Sequence, residues 1–300
     1  LTDIATPPDD RVFTVAAVSQ RRRVLRRFRR HRPAMISLVT LVSLTIFVFV
    51  MPFFAKWSHT ERDKTALSQG PSWNHPFGTD SLGKDLFAAV LKATQRSLEI
   101  AVISAGLATV IGVTIGAVAG YFRGWTDAVL MRFADLLYTF PLLVLVAVVS
   151  ARFDDAPWWI IPVLLGLVSW LGLSRIVRAE FMSLREKEFV EAARAVGARD
   201  SRIIFRHILP SLTGPIIVST TLAVAGAIIV EAALSFLGLG VRRPDVSLGL
   251  LINEGDEAFT TRPWLFWFPG LVLVLICLCV NFIGDGLRDA FDPRQTRVKA

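Results

Sequence analysis

EFVEAARAVGARDSRIIFRHILP, residues 188–210, reads as two short helices joined at a glycine. In the first, Phe189, Ala192, Ala193 and Val196 share one face at i, i+3, i+4, i+7 spacing. Gly197 ends it, because a helix C-terminus favours the left-handed backbone that glycine adopts freely. Asp200 and Ser201 are suited to cap the second helix. There Ile203, Ile204, His207 and Ile208 form an apolar stripe, and Arg199, Arg202 and Arg206 a basic one. Small alanines beside Glu191 and the arginines make a low knob that fits a groove of another protein. The alternative is a plain basic surface helix. What flanks the stretch decides between them.

The flanks are membrane-like. Hydrophobic residues make up 53% of the 300, and mean hydropathy is +0.53, more apolar surface than a soluble domain of this size uses. Six runs approach the ~20 residues needed to cross a bilayer: 34–55, 98–121, 128–150, 158–177, 212–239 and 265–287. The first resembles a signal peptide but is too long and lacks a small-x-small cleavage site before Lys56, so it reads as retained. The chain opens on Leu1 rather than Met, which leaves its native start open. Gly112, Gly116 and Gly120 lie on one helix face, so another helix can approach closely there. Pro141 and Pro162 fall inside spans and permit kinks.

Net charge is +8, and arginine is densest in RRRVLRRFRR, residues 21–30. A basic run with an aromatic suits nucleic acid, but this one directly precedes an apolar span, where it acts as a cytoplasmic flank. With the N-terminus inside, the inner segments hold 22 Lys and Arg against nine outside. The chain therefore reads as N-in, C-in.

That orientation settles HPFGTDSLGKDLF, residues 75–87, which contains G-x-x-x-x-G-K and falls in an outer loop. A phosphate-binding loop needs a preceding strand and a Ser or Thr after the lysine. Here Pro76 precedes it and Asp85 follows Lys84, so the match is accidental. Cys277 and Cys279 have no second pair at ligand spacing, which argues for packing rather than metal. Ionisable residues within spans are costly. Glu231, mid-span, lines a path or joins helices, and Asp135 is a second candidate. Glu99 reads as interfacial and Asp285 lies near an inner end. No acid–base chain for proton coupling and no catalytic arrangement occurs.

Four strings together resemble one family. Glu191, Ala192, Ala193, Gly197, Ile208, Leu209 and Pro210 match the EAA motif of ABC-importer permeases. HPFGTDSLGKD resembles the HPxGTDxxGRD signature of C-type permeases of dipeptide and oligopeptide importers, with Lys84 in place of arginine. EAALSFLGLG (231–240) and NFIGDGLRDAFDP (281–293) resemble its fifth-span and C-terminal strings.

The resemblance implies an all-α integral membrane protein of a bacterial cell membrane, with six transmembrane helices in the type I importer permease fold. It divides into an arm (1–33), a first span (34–55), an outer loop (56–97), a five-span core (98–290) that includes the EAA loop 178–210, and a tail (291–300). It implies pairing with a homologous B-type permease, with two ATP-binding subunits or domains below and an extracytoplasmic solute-binding protein above. ATP and magnesium belong to the ATPases, and no cofactor, metal or nucleic acid is expected on this chain. Glu191, Ala192, Ala193 and Gly197, with Arg199 and Asp200 beside them, are expected to couple to the ATPases. Asp80, Lys84 and Asp85 are expected either to receive the binding protein or to pack internally. Peptides are the expected cargo, with nickel complexes or haem as alternatives. A stand-alone transporter or channel, or a membrane enzyme, are the rival classes.

Overall fold

The computed structural model of the protein describes residues 20–152 and 157–292, and among these every regular element is a helix. Residues 1–19 of the arm, part of the 151–157 loop and the tail from Pro293 lie outside the described residues. α1 (Gln20–Arg30) and α2 (Arg32–Val50) are separated by one extended residue, His31, whose Nδ1 accepts from the Ala34 N–H and caps α2.

The second span begins earlier than hydropathy suggests. α3 runs Leu86–Phe122, 37 residues, or about 55 Å at 1.5 Å per residue, well beyond a ~30 Å hydrocarbon core. Asp85 caps it by accepting from the Ala88 N–H at 2.7 Å. The polar residues that hid its first turns are paired. Gln95 donates to the Val48 carbonyl, and Arg96 reaches Glu99 at 2.8 Å and Asp245 at 2.7 Å.

The third run is not one straight span. α4 (Gly124–Thr139) and α5 (Leu142–Arg152) meet at Phe140 and Pro141 with a bend of 78°. Proline has no N–H to continue the ladder, and it pushes the preceding residue out of helical space. Pro162 makes no such break. It sits in the first turn of α6 (Ile160–Leu184), where the missing donor would be unpaired anyway.

α7 (Glu188–Ala195) and α8 (Asp200–Arg202) form the inner loop. The second loop helix is not a separate piece, because the chain stays helical through it into α9 (Thr213–Phe236), with a π-helical turn over Ile203–Ile208. Pro210 explains the widening. Its ring would crowd the carbonyl four residues back, and an i→i+5 turn relieves this. α10 (Leu248–Asp256) is too short to span, and α11 (Trp264–Phe291) is the last span. Among the described residues five helices are long and apolar enough to cross a bilayer, six if the bent α4–α5 pair counts as one.

The glycine face of α3 does pack as its spacing predicts, against α6. A methyl at Gly112 would stand 3.0 Å from the Trp170 carbonyl oxygen, at Gly116 2.5 Å from that of Ser174, and at Gly120 2.6 Å from that of Arg178. Only a missing Cβ allows that approach. Cys277 is partly buried and Cys279 buried, both as free thiols.

Candidate functional site

The inner knob stands on a floor built from α3 and α6. Val190, Ala193, Ile203, Ile204, Ile208 and Leu212 cluster with Ala117, Tyr121, Val177 and Phe181, all buried. The α7 face therefore differs from the one its spacing suggested. Val190 and Ala193 point inward, whereas Phe189, Glu191, Ala192 and Val196 are exposed, Val196 at 87%. An eight-residue helix on a small floor needs two inward side chains, and that leaves an apolar outer surface uncovered in this chain.

Gly197 closes α7 with φ +78°, as expected of a left-handed cap. The Ala198 N–H reaches the Ala193 carbonyl at 3.0 Å and the Gly197 N–H that of Arg194 at 2.9 Å, the paired bonds of a Schellman end. No atom lies within 4 Å of a methyl placed on Gly197, so only its backbone conformation demands glycine. A groove of about 300 Å³ lies beside the turn, lined by Ala193, Val196, Gly197, Arg202 and His207 among others. Arg199, Arg202 and Arg206 are exposed around it.

Asp200 does not cap α8 with its side chain. It accepts from the Tyr121 hydroxyl at the inner end of α3. Arg185 donates to the Tyr121 carbonyl and lies 5.6 Å from its ring, while Arg194 lies 5.8 Å from the same ring. Arg178 grips Asp127 of α4 through both carboxylate oxygens, and Arg123 pairs with Glu186 at 2.9 Å. The knob is thus tied to α3 by one charge-assisted bond, while the Arg178–Asp127 and Arg123–Glu186 pairs brace the segments beneath it. Tyr121, Arg185 and the Arg178–Asp127 pair escaped the sequence reading because nothing in local spacing marks partners 51 to 79 residues apart.

Glu231 lies fully buried between helices. Ser235 donates to one of its oxygens at 2.7 Å and Ser97 of α3 to the other at 3.1 Å. Ser247 joins through Ser235, and Ser97 also accepts from the Leu248 N–H that opens α10. Of the two roles open for Glu231, the geometry of this chain is that of a joint between helices. Asp135 is exposed on α4 and pairs with Arg175 at 2.8 Å. The two are not brought together as a shared site.

The outer loop is folded on itself. His75, buried, bonds Asp85 at 2.8 Å and stacks on Trp57 with ring centroids 5.1 Å apart. The Thr79 hydroxyl donates to the Ala66 carbonyl, and Asp80 accepts from the N–H groups of Leu82 and Lys84. Asp85 is buried as the α3 cap and His75 partner, so it presents no surface to a docking protein. Gly78 (φ +81°) and Gly83 (φ +74°) permit these turns, and the glycine–lysine string bends around its own backbone rather than around a phosphate. Lys84 lines an outer cavity of about 380 Å³ with His59, Arg243, Glu254 and Arg262 among others. Burial and the nearby Arg243 hold the Lys84 ammonium below its ordinary pKa. Burial, reinforced by Lys92 and Lys84, does the same for His59.

Comparison with known proteins agrees with this architecture. The family described as binding-protein-dependent transport system inner membrane component matches residues 112–297, and the N-terminal TM domain of oligopeptide transport permease C matches residues 19–71. The oligopeptide transport system permease protein OppC of Mycobacterium tuberculosis (strain ATCC 25618 / H37Rv) is 44% identical over 282 residues, 94% of this chain and 97% of that protein. OppC of Haemophilus influenzae is 40% identical over 272 residues, 90% of this chain and 87% of that one. Among solved structures, the inward-facing MetNI methionine ABC transporter aligns with a TM-score of 0.56 at 16% identity, over 69% of this chain and 98% of that chain, a likeness of fold. A multi-pass inner-membrane chain with this bent-span core belongs to the binding-protein-dependent transport system inner membrane components, the permease subunits of ABC importers.

Proposed function

We propose that the chain is the C-type permease half of an ATP-driven oligopeptide importer. It forms the path with a homologous B-type permease, receives cargo from an extracytoplasmic binding protein, and is driven by two cytoplasmic ATP-binding subunits or domains. Those subunits carry the ATP and magnesium, while this chain moves helices and does no covalent chemistry. The names of its relatives support the cargo class.

The observation that carries the coupling role is the knob itself. Its outer side exposes Glu191, Ala192, Val196 and Gly197, while its inner side packs on α3 and α6 and is bonded to α3 through Asp200 and Tyr121. A partner that moves the outer side must move the inner ends of these spans, because packed interfaces transmit displacement rather than absorb it. Asp200 serves the inner attachment, and Arg199 stays available to the partner. On the outer side, Asp80 and Lys84 remain candidates to meet the binding protein, and Glu231 holds α3, α9 and α10 together during the swing.

The test is ATP hydrolysis by the chain assembled with its permease, ATPase and binding-protein partners in lipid, with and without a peptide mixture. Peptide-dependent stimulation supports the reading. Hydrolysis that ignores peptides but responds to nickel complexes or haem changes the cargo and keeps the machine. Transport by this chain with no ATPase bound overturns it.

A further inference from the structure

The arginine-rich helix α1 is mounted on the last span with one face held and the other free. Val24 and Phe28 pack with Ala34, Ile283, Leu287 and Ala290. A methyl at Gly286 would stand 3.3 Å from the Phe28 ring and 3.2 Å from His31 Nδ1. Arg27 donates to the Asp292 carbonyl at 2.9 Å, at the inner end of α11, and His31 Nε2 stands 3.5 Å from Asp289. The chain turns at His31, so α1 does not simply extend α2.

The free face carries Arg22, Arg26, Arg29 and Arg30 around a groove of about 380 Å³, all four exposed. Among the described residues none of the four is paired with a carboxylate. Leu25 stands in the same groove at 51% exposure. An apolar side chain amid guanidinium groups suits a helix at headgroup depth, where its tip meets acyl chain and the arginines reach outward. The first span starts two residues after α1 ends, which puts the helix at that depth on the basic side of the membrane.

We propose that this face binds the phosphate of an anionic phospholipid of the inner leaflet, with arginine forks on its oxygens. Guanidinium suits the task because it donates bidentately to phosphate and keeps its charge. Through Phe28 and Arg27 the bound lipid then steadies the inner end of α11.

The experiment uses the full chain in lipid nanodiscs of phosphatidylcholine and phosphatidylglycerol, and reads which spin-labelled lipid is immobilised. Phosphatidylglycerol should be retained several-fold over phosphatidylcholine, less so in high salt. The chain carrying R22Q, R26Q, R29Q and R30Q should lose that preference, while lysine at the same four positions keeps the part due to charge and loses the part due to the forks. Each arginine at an anionic surface is worth about fivefold, equivalent to ~1 kcal/mol. If the four-glutamine chain does not insert, the single variants R26Q and R29Q read the same ratio and should each lower it. Equal retention of the two lipids by the native chain, or an undiminished preference in these variants, overturns the proposal. So does a cross-link from position 26 to an ATPase subunit in the assembled importer without lipid preference.

Discussion

The Tyr121 hydroxyl at the inner end of α3 donates to the Asp200 carboxylate at the start of α8, across 79 residues of sequence. It joins the knob to the 37-residue α3, and the two arginines beside the ring reinforce it. Hydrogen bonds to charged groups contribute about 1.5–3 kcal/mol. Tyr121→Phe should therefore lower peptide-stimulated ATP hydrolysis several-fold at equal membrane abundance. Asp200→Asn should act in the same sense, and the double variant should be no worse than either alone. Additive losses would detach the pair from coupling.

Gly197 separates backbone demand from contact. Its φ of +78° with open space around the Cβ position means that alanine costs only conformational strain, about 1–2 kcal/mol. Asparagine, which tolerates that region, should keep stability near the native value. Gly197→Val should lower transport sharply while the chain still folds. Unchanged peptide uptake in that variant would argue against the knob as the coupling surface.

Gly116 makes the opposite case, since contact rather than backbone decides. Gly116→Ala would press on the Ser174 carbonyl and Val177, and overpacking of this kind costs about 1–3 kcal/mol. Thermal unfolding in detergent should move down by several degrees. Gly172→Ala, with nothing within 4 Å, is the matched control and should be neutral or slightly stabilising. Equal midpoints for the two would mean α3 and α6 are not in close contact.

Glu231 should tolerate Gln better than Leu. Glutamine can still meet Ser97 and Ser235, whereas leucine leaves buried hydroxyls unpaired at about 1–3 kcal/mol each. The check is the unfolding midpoint of the three proteins, with E231Q expected near the native value and E231L well below. If leucine proves as stable as glutamine, the serine joint contributes nothing.

His59 gives the outer face a pH dependence. Its folded pKa lies below the ordinary 6.5, chiefly through burial, so the unfolded form binds protons more readily as pH falls. Stability from the neutral ring is present above about 6.5 and declines below it. Hydrogen-exchange protection factors of residues 57–85, taken relative to the intrinsic rate at each pH, should fall between pH 7.5 and 5.5, and His59→Gln should flatten that change. Equal pH profiles for both proteins would remove His59 as the cause.

Local rules were legible in the residues wherever a neighbour in sequence enforces them. The apolar runs announced the spans, Gly197 its left-handed cap, Gly112, Gly116 and Gly120 the close helix contact, and the Lys and Arg bias the orientation. The EAA string and its companions pointed to the family. Those signals act over one helix turn or one span, so they survive reading in one dimension. The tertiary structure decided everything that depends on a distant partner. It turned Phe189 and Val196 outward because Val190 and Ala193 found the floor on α3 and α6. It assigned Asp200 to Tyr121 instead of to a cap, buried Asp85 against His75, and began α3 at Leu86 because Gln95 and Arg96 found partners on other segments. A polar or charged side chain can satisfy itself in several ways locally, and only the packed neighbours determine which bond removes it from water.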